Sequence, residues 1–292
     1  ACIAVLISQL LIIMVWNEAK FGTLPNILII LVAMSALGEH KFKTKIKNES
    51  EALVTKNRVY TDEPIVKTDL INLPDIVQLW LINSGAIANE KAETVRLKQI
   101  GMMRTKPDGK WMPFKATQYF DVEKAWFLWH TTVKSPFGLD LLGRDKLVNH
   151  DAEMLIKIAG LIPVVNEKNN SKINSGAMIR YLSEICWFPS AALENYITWE
   201  AIDACSARAI FEVHDQSVSG VFTFNTDGDL ISFTANRYFG GGKEATLEQW
   251  LVEVEAYKTF EGIKIPSDCK VIWKLKDGDF NWLNLELTDL DY

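Results

Sequence analysis

The sequence predicts a mainly β (α+β) protein, with an N-terminal transmembrane helical hairpin followed by a strongly curved antiparallel sheet or half-barrel with covering helices. Three observations carry this expectation. Two apolar runs stand seven residues apart at the N-terminus. Asp-Gly pairs at 108–109, 227–228 and 277–278 each separate apolar-rich runs, the strongest short-range hairpin signal because Gly tolerates the positive φ such turns require. The runs around them alternate apolar and polar side chains with the period of a strand. At 48% apolar and 23% charged among 292 residues, the composition is that of an ordinary globular chain and excludes disorder and collagen-like structure.

Residues 1–16 read ACIAVLISQLLIIMVW, with Ser8 and Gln9 as the polar exceptions. A helix of this run covers about 24 Å, slightly short of a hydrocarbon core of roughly 30 Å. The chain starts without methionine inside the run, so the first span is expected to continue upstream. A second run, 24–38, is interrupted by Pro25, Asn26 and Ser35. Runs of this length also fit a buried core helix or a signal peptide, and Ala33-Met34-Ser35 is a cleavage-like triplet. Two complete runs so close together favour a hairpin that crosses twice.

Charge follows the same division. Residues 1–38 carry Glu18 and Lys20 alone, 39–58 carry six Lys/Arg against three Glu, and 59–292 carry 24 basic and 33 acidic residues. Lys41, Lys43, Lys45 and Lys47 after the second run place the body on the cytoplasmic face by the positive-inside bias, and the same lysines suit an anionic bilayer surface. The acidic body argues against nucleic acid as a partner. The expected organisation is a transmembrane hairpin at 1–38, a basic juxtamembrane segment and linker at 39–72, and a curved antiparallel β domain with an inserted helix at 73–292.

Within the body, Leu73-Pro74-Asp75 followed by Ile76, Val77, Leu79, Trp80 and Leu81 reads as a short helix ended by Gly85. Alternation then groups Met112, Phe114, Ala116 and Phe120; Val218, Phe222 and Phe224; Ile231, Phe233 and Ala235; Trp250, Val252 and Val254; Val271, Trp273 and Leu275; and Leu283, Leu285 and Leu287 on inward faces. About eleven strands are expected, more than one sheet usually holds without curling. One helix interrupts them, with Asn174 or Ser175 as N-cap, Met178, Leu182 and Ile185 at helical spacing, and Pro189 as its stop.

Five stretches, LPDIVQLWLINSG at 73–85, VRLKQIGMMR at 95–104, WMPFKATQYF at 111–120, RYLSEICWFPSAAL at 180–193 and IPSDCKVIWKLKDGDFNWL at 265–283, together resemble an uncharacterised prokaryotic family of membrane-anchored proteins, known only as a domain of unknown function. The resemblance covers nearly the whole chain. It implies membrane segments upstream and brings no reaction or catalytic residue with it. The β-helix-β order is also similar to that of lipoprotein-localisation carriers, whose curved sheet and covering helices hold acyl chains, an analogy at the level of fold.

Familiar reaction signatures are missing. Gly240-Gly241-Gly242-Lys243 lacks the first glycine of a phosphate loop, where Arg237 stands, and Glu244 follows its lysine. Asp227-Gly228-Asp229 and Asp277-Gly278-Asp279 do not continue into calcium loops. His40, His130, His150 and His214 lie far apart, the four cysteines form no CxxC pair, and no GxSxG elbow occurs, so no metal or cofactor is expected.

The block after residue 180 is richer. Arg180 and Glu184 are helical neighbours in the less favourable order for simple helix support. Trp187, Phe188, Tyr196 and Trp199 form an aromatic wall, followed by Glu200, Asp203 and Arg208. Arg237 falls on the inward face of its strand, where a charge requires a carboxylate or a ligand anion. The candidate ligand-binding residues are therefore Arg180, Glu184, Trp187, Trp199, Glu200, Asp203, Arg208 and Arg237.

Two readings of the arginines stay open: a structural ion pair with Glu184, Glu200 or Asp203, or an anionic headgroup site. The expected function is a noncatalytic, membrane-anchored binding module for a lipid or other amphiphile. A membrane-bound enzyme using Glu184, Glu200 and Asp203 as acid or base, and an interaction module for another membrane protein, are the alternatives.

Overall fold

The computed structural model describes residues 2–54, 64–87, 89–135, 138–240 and 242–292. Among them the chain forms an N-terminal helical hairpin and one open antiparallel sheet of thirteen strands. Helix α1 (Cys2–Met14) is followed by the short α2 (Trp16–Ala19) and a 3-10 turn, and then by α3 (Thr23–Leu53), 31 residues long. Asn26 donates to Ser8 Oγ at 3.1 Å and to Gln9 Oε1 at 3.0 Å, while Gln9 donates to Thr23 Oγ1 at 3.1 Å. The polar residues of the two apolar runs thus answer one another across the hairpin, as such groups must wherever water is absent. The stretch Trp16–Leu53 is long and apolar enough to cross a membrane.

The basic residues 39–53 continue α3 as helix. Here Phe42, Ile46 and Leu53 pack on Leu128, Leu142 and Leu155 of the outer sheet face. Arg144, 1% exposed, lies 3.4 Å from Glu49 and donates to Glu153 at 2.8 Å. Of the rest of the expected linker, 55–63 lies outside the described residues, while 64–72 is described and buries Ile65 and Leu70 in the principal core.

Helix α4 (Asp75–Asn83) starts after Pro74 and ends before Gly85 at φ +81°, the left-handed position a glycine accepts without strain. The strands follow: β1 (Thr94–Met103), β2 (Met112–Asp121), β3 (Trp126–Val133), β4 (Leu141–Val148), β5 (Asp151–Ile158) and β6 (Ile162–Lys168). Helix α5 (Ser171–Glu184) and two 3-10 turns reaching Leu193 interrupt them. Then come β7 (Ile197–Asp203), β8 (Ser206–Val213), β9 (Gln216–Phe224), β10 (Leu230–Phe239), β11 (Thr246–Phe260), β12 (Ile263–Leu275) and β13 (Gly278–Asp291).

The spatial order is β6-β5-β4-β3-β2-β1-β13-β12-β11-β10-β9-β8-β7, so β6 and β7 are free edges and the sheet does not close. Helix α5 nevertheless packs on β4 and β5 of one wing and on β8, β9 and β10 of the other. One helix reaches both wings only because the sheet curls around it. Register shifts interrupt six of the twelve pairings, four of them on β10 to β13 and their neighbours, and each such irregularity adds bend and twist. The principal core lies in this concavity, where Phe120, Tyr181, Phe188, Phe211, Phe222 and Phe233 are essentially inaccessible.

Three expectations are corrected. Thirteen strands replace about eleven. The α5 N-cap is Asn170, whose Oδ1 accepts from the Lys172 amide at 3.0 Å. Asn174 is instead a buried bridge, accepting from the Ala152 amide at 2.8 Å and donating to Asp151 at 3.3 Å. Ile231 is exposed because a bulge at Leu230/Ser232 breaks the alternation there, and Leu230 takes its place in the core.

Candidate functional site

Residues four apart stack on one side of a helix, so Gly176, Arg180 and Glu184 share the face of α5 turned to the sheet. Arg180 donates from Nε to Glu184 Oε1 at 2.8 Å, from Nη1 to Asp145 Oδ2 at 3.0 Å and from Nη2 to Gln118 Oε1 at 3.3 Å. Gln118, inaccessible on β2, returns a bond from Nε2 to Glu184 Oε2 at 2.6 Å. The guanidinium carbon also lies 4.8 Å from the Trp129 ring centre and 5.2 Å from that of Phe127. Trp129 donates in turn to Gln99 Oε1 at 2.9 Å.

Burial pushes the carboxyls of Glu184 and Asp145 above their ordinary range, with Arg180 pulling both back down. This cluster answers the question left by the unfavourable order of Arg180 and Glu184. A carboxylate on β4 and an amide on β2, both distant in sequence, hold the arginine in place.

Arg237 stands apart from it. Its guanidinium carbon lies 4.9 Å from the Trp250 ring centre and 5.7 Å from Trp273, and Nε donates to the Gly176 carbonyl at 3.1 Å. Among the described residues no carboxylate comes within ion-pair distance of it. Burial lowers its pKa to about 10, the positive Arg180 adds to the shift, and Asp145 and Glu184 oppose it. It remains a cation at neutral pH; the residue is half-buried, and among the described residues its two terminal nitrogens bond to no protein acceptor. Two further donors on the same concave face, Trp250 Nε1 and Gln99 Nε2, are buried without a partner. An orphaned buried donor is costly and is rare in native proteins. Among the described residues the concave face therefore carries unmet donors and a cation with no carboxylate within ion-pair distance.

The other candidate residues take different places. Trp187 is buried and donates to the Pro266 carbonyl at 3.1 Å, and Trp199 donates to Ala192 O at 3.1 Å while packing on Trp80 and Phe222. Trp187 belongs to the core, and Trp199 is half-buried against it. Glu200 points away from Trp199 to the outer face of β7, where it meets Arg208 across the β7–β8 pair at 3.2 Å. Asp203, exposed, caps the following turn through the Cys205 amide at 2.8 Å, which holds its carboxyl below the usual range. Glu184, Glu200 and Asp203 do not converge; the carboxylate that joins Glu184 is Asp145.

Sequence reasoning missed Gln99, Gln118 and Asp145. Each is a polar residue at an inward position of an alternating strand, the same signal that singled out Arg237.

Buried side chains of the principal core pack the concave face beneath α5. Two cavities open at the surface elsewhere, one of about 400 Å³ lined by Phe188, Ser190, Ile263, Glu261 and Tyr292 among others, and one of about 460 Å³ lined by Trp126, His150, Tyr196, Glu212 and His214 among others. Among the described residues no group of three or more His, Cys, Asp or Glu is placed to hold a metal ion. The glycine run of the phosphate-loop reading falls partly on Gly241, outside the described residues.

Comparison with solved structures finds a domain assigned to outer membrane lipoprotein sorting from Vibrio parahaemolyticus, at 10% identity and TM-score 0.41, covering 68% of this chain and 84% of that one. A LolA superfamily protein from Nitrosomonas europaea is similar at 11% identity and TM-score 0.37, covering 77% and 90%. A DUF1329 family protein from Desulfovibrio piger is similar at 11% identity and TM-score 0.40, covering 79% and 93%. No curated protein sequence matches the chain. A family profile described as "Family of unknown function (DUF6544)" matches residues 63–285.

Proposed function

Given that the chain belongs to the DUF6544 family, whose function is unknown, we propose that it is a membrane-anchored binding module for an amphiphile with an anionic headgroup, which Arg237 receives on the concave face. The observation that carries this reading is Arg237 itself. It is a cation over the rings of Trp250 and Trp273, and among the described residues no carboxylate lies within ion-pair distance and no protein acceptor meets its two terminal nitrogens. A purely structural arginine at such a position would be expected to have a counter-ion, as Arg180 has.

Trp250 Nε1 beside it is a further donor for an acceptor-rich group, and the surrounding aromatic and aliphatic side chains suit an apolar chain. Since that face is packed, an acyl chain enters as α5 shifts away from the β8–β10 wing, where the Arg237–Gly176 bond helps hold it. Glu184 and Asp145 are both engaged by Arg180, and in this reading they position α5.

Anchoring rests on α3 and on the paired polar residues of the hairpin. The lysines that follow the apolar stretch favour a cytoplasmic body.

Titration of the detergent-solubilised full chain with oleate and with uncharged monoolein, followed by tryptophan fluorescence, tests the reading. Oleate should shift the emission saturably, monoolein should do so at least tenfold more weakly, and R237Q should abolish the difference. Equal response to both lipids in the parent chain would overturn the headgroup assignment.

A further inference from the structure

We infer that the tip of the β5–β6 hairpin, together with Leu139, forms a second membrane contact that sits among phospholipids at the bilayer interface beside α3. The inference rests on the reading of α3 as a membrane span and deepens it by fixing which part of the body meets lipid.

The apolar surface of α3 ends at Leu37, and charge begins at Glu39. At this boundary the helix meets the hairpin. Ser35 Oγ donates to the Ala159 carbonyl at 3.2 Å. A Cβ built on Gly38 would lie 2.8 Å from Gly160 O and 2.7 Å from Leu161 Cδ2, and one on Gly160 would fall 2.4 Å from the Glu39 amide. Two glycines thus let the backbones of helix and hairpin touch. Gly160 additionally has φ +70° in the turn, a conformation that a side chain would strain.

Ser35 lies four residues, about 6 Å of helix, on the apolar side of Glu39. The hairpin tip therefore reaches past the charge boundary instead of stopping above it. The side chains that it brings there are apolar and uncovered: Ile162 is 61% exposed, Val164 50% and Leu161 36%. The Ala159 amide donates to Asp140 O at 2.8 Å, which brings Leu139, 52% exposed, to the same place.

Large apolar side chains on a free sheet edge invite aggregation in water, and β6 is such an edge. Against lipid the same residues are matched to their surroundings. Val32, Met34 and Leu37 are exposed on the same stretch of α3, which a bilayer would also cover, and Lys41, Lys43, Lys45 and Lys47 follow on the helix where lipid headgroups would lie. That shared level along the helix selects a phospholipid bilayer as the occupant of this surface.

The test uses the full chain in vesicles of phosphatidylcholine and phosphatidylglycerol, with an environment-sensitive fluorophore attached through an encoded click-reactive residue at position 162, 30 or 279 in turn. Position 30 reports the span itself, and Asp279, exposed on β13, supplies the aqueous reference. Quenching by doxyl-labelled lipid and protection from iodide at both 30 and 162, with the reverse at 279, is expected. Lipid quenching at 30 but aqueous behaviour at 162 would overturn the inference and leave the span intact. Aqueous behaviour at 30 would overturn the span, and the inference with it.

Discussion

The guanidinium of Arg237 lies over the ring of Trp250 at 4.9 Å with no carboxylate among the described residues in ion-pair contact, whereas Arg180, one helical turn beyond the carbonyl that Arg237 binds, has two. The two arginines that the sequence treats alike thus have opposite energetic roles.

For Arg237 the consequence is a separation of stability from binding. R237Q removes one hydrogen bond, worth about 1 kcal/mol, and also relieves the cost of a desolvated charge. Its melting temperature should stay within a few degrees of the parent chain while oleate binding falls at least tenfold. Paired thermal melts and titrations check this.

Arg180 should behave in the opposite way. R180A leaves Glu184 and Asp145 buried without their cation, and breaking a pair of this kind costs about 3–5 kcal/mol. Both carboxyls already lie above their ordinary range through burial, and losing Arg180 raises them further. An acid with a raised folded pKa keeps its proton when the unfolded chain has released it, so stability falls as pH rises from the unfolded value towards the folded one. The R180A deficit in denaturant melts should therefore be larger at pH 8 than at pH 5.

Between the wings, the rings of His150 and His214 lie 4.0 Å apart, centre to centre. Burial and the neighbouring His214 lower the His150 pKa, against the opposing pull of Asp151 and Asp215. The folded protein then resists a proton that the unfolded chain accepts, so stability falls as pH drops below about 6.5. His130, lowered by burial, acts with the same sign. H150Q should flatten part of the loss between pH 7 and pH 5 in urea titrations, and H130Q/H150Q should flatten more.

In the hairpin, N26L withdraws the donor shared by Ser8 and Gln9. Interhelical bonds of this type contribute about 0.6–2 kcal/mol. Energy transfer between dyes on α1 and α3 in micelles should report a looser hairpin, and an unchanged distance distribution would contradict the role given to Asn26.

Much of the fold was legible because its signals are local. Asp-Gly at 227–228 and 277–278 does turn between strands with positive φ at the glycine, +82° and +122°. The turn at Asn149-His150 adopts φ of +52° and +68° with no glycine at all, which shows how a hairpin can form without that signature. The site was half legible. Arg237 stood out as an inward charge, but Glu200 and Asp203 were grouped with Glu184 through nearness in sequence, and alternation puts Glu200 on the face opposite Trp199. Asp145 could be joined to Arg180 only by curvature, which brings β4 under a helix thirty-five residues downstream.

The most direct measurement of the central claim is native mass spectrometry of the full chain, purified gently from a membrane-containing host, beside R237Q prepared identically. The account predicts a retained lipid-sized mass with an anionic headgroup in the parent chain and its loss in R237Q. An apo mass in the parent chain, or a retained lipid unaffected by R237Q, would contradict it.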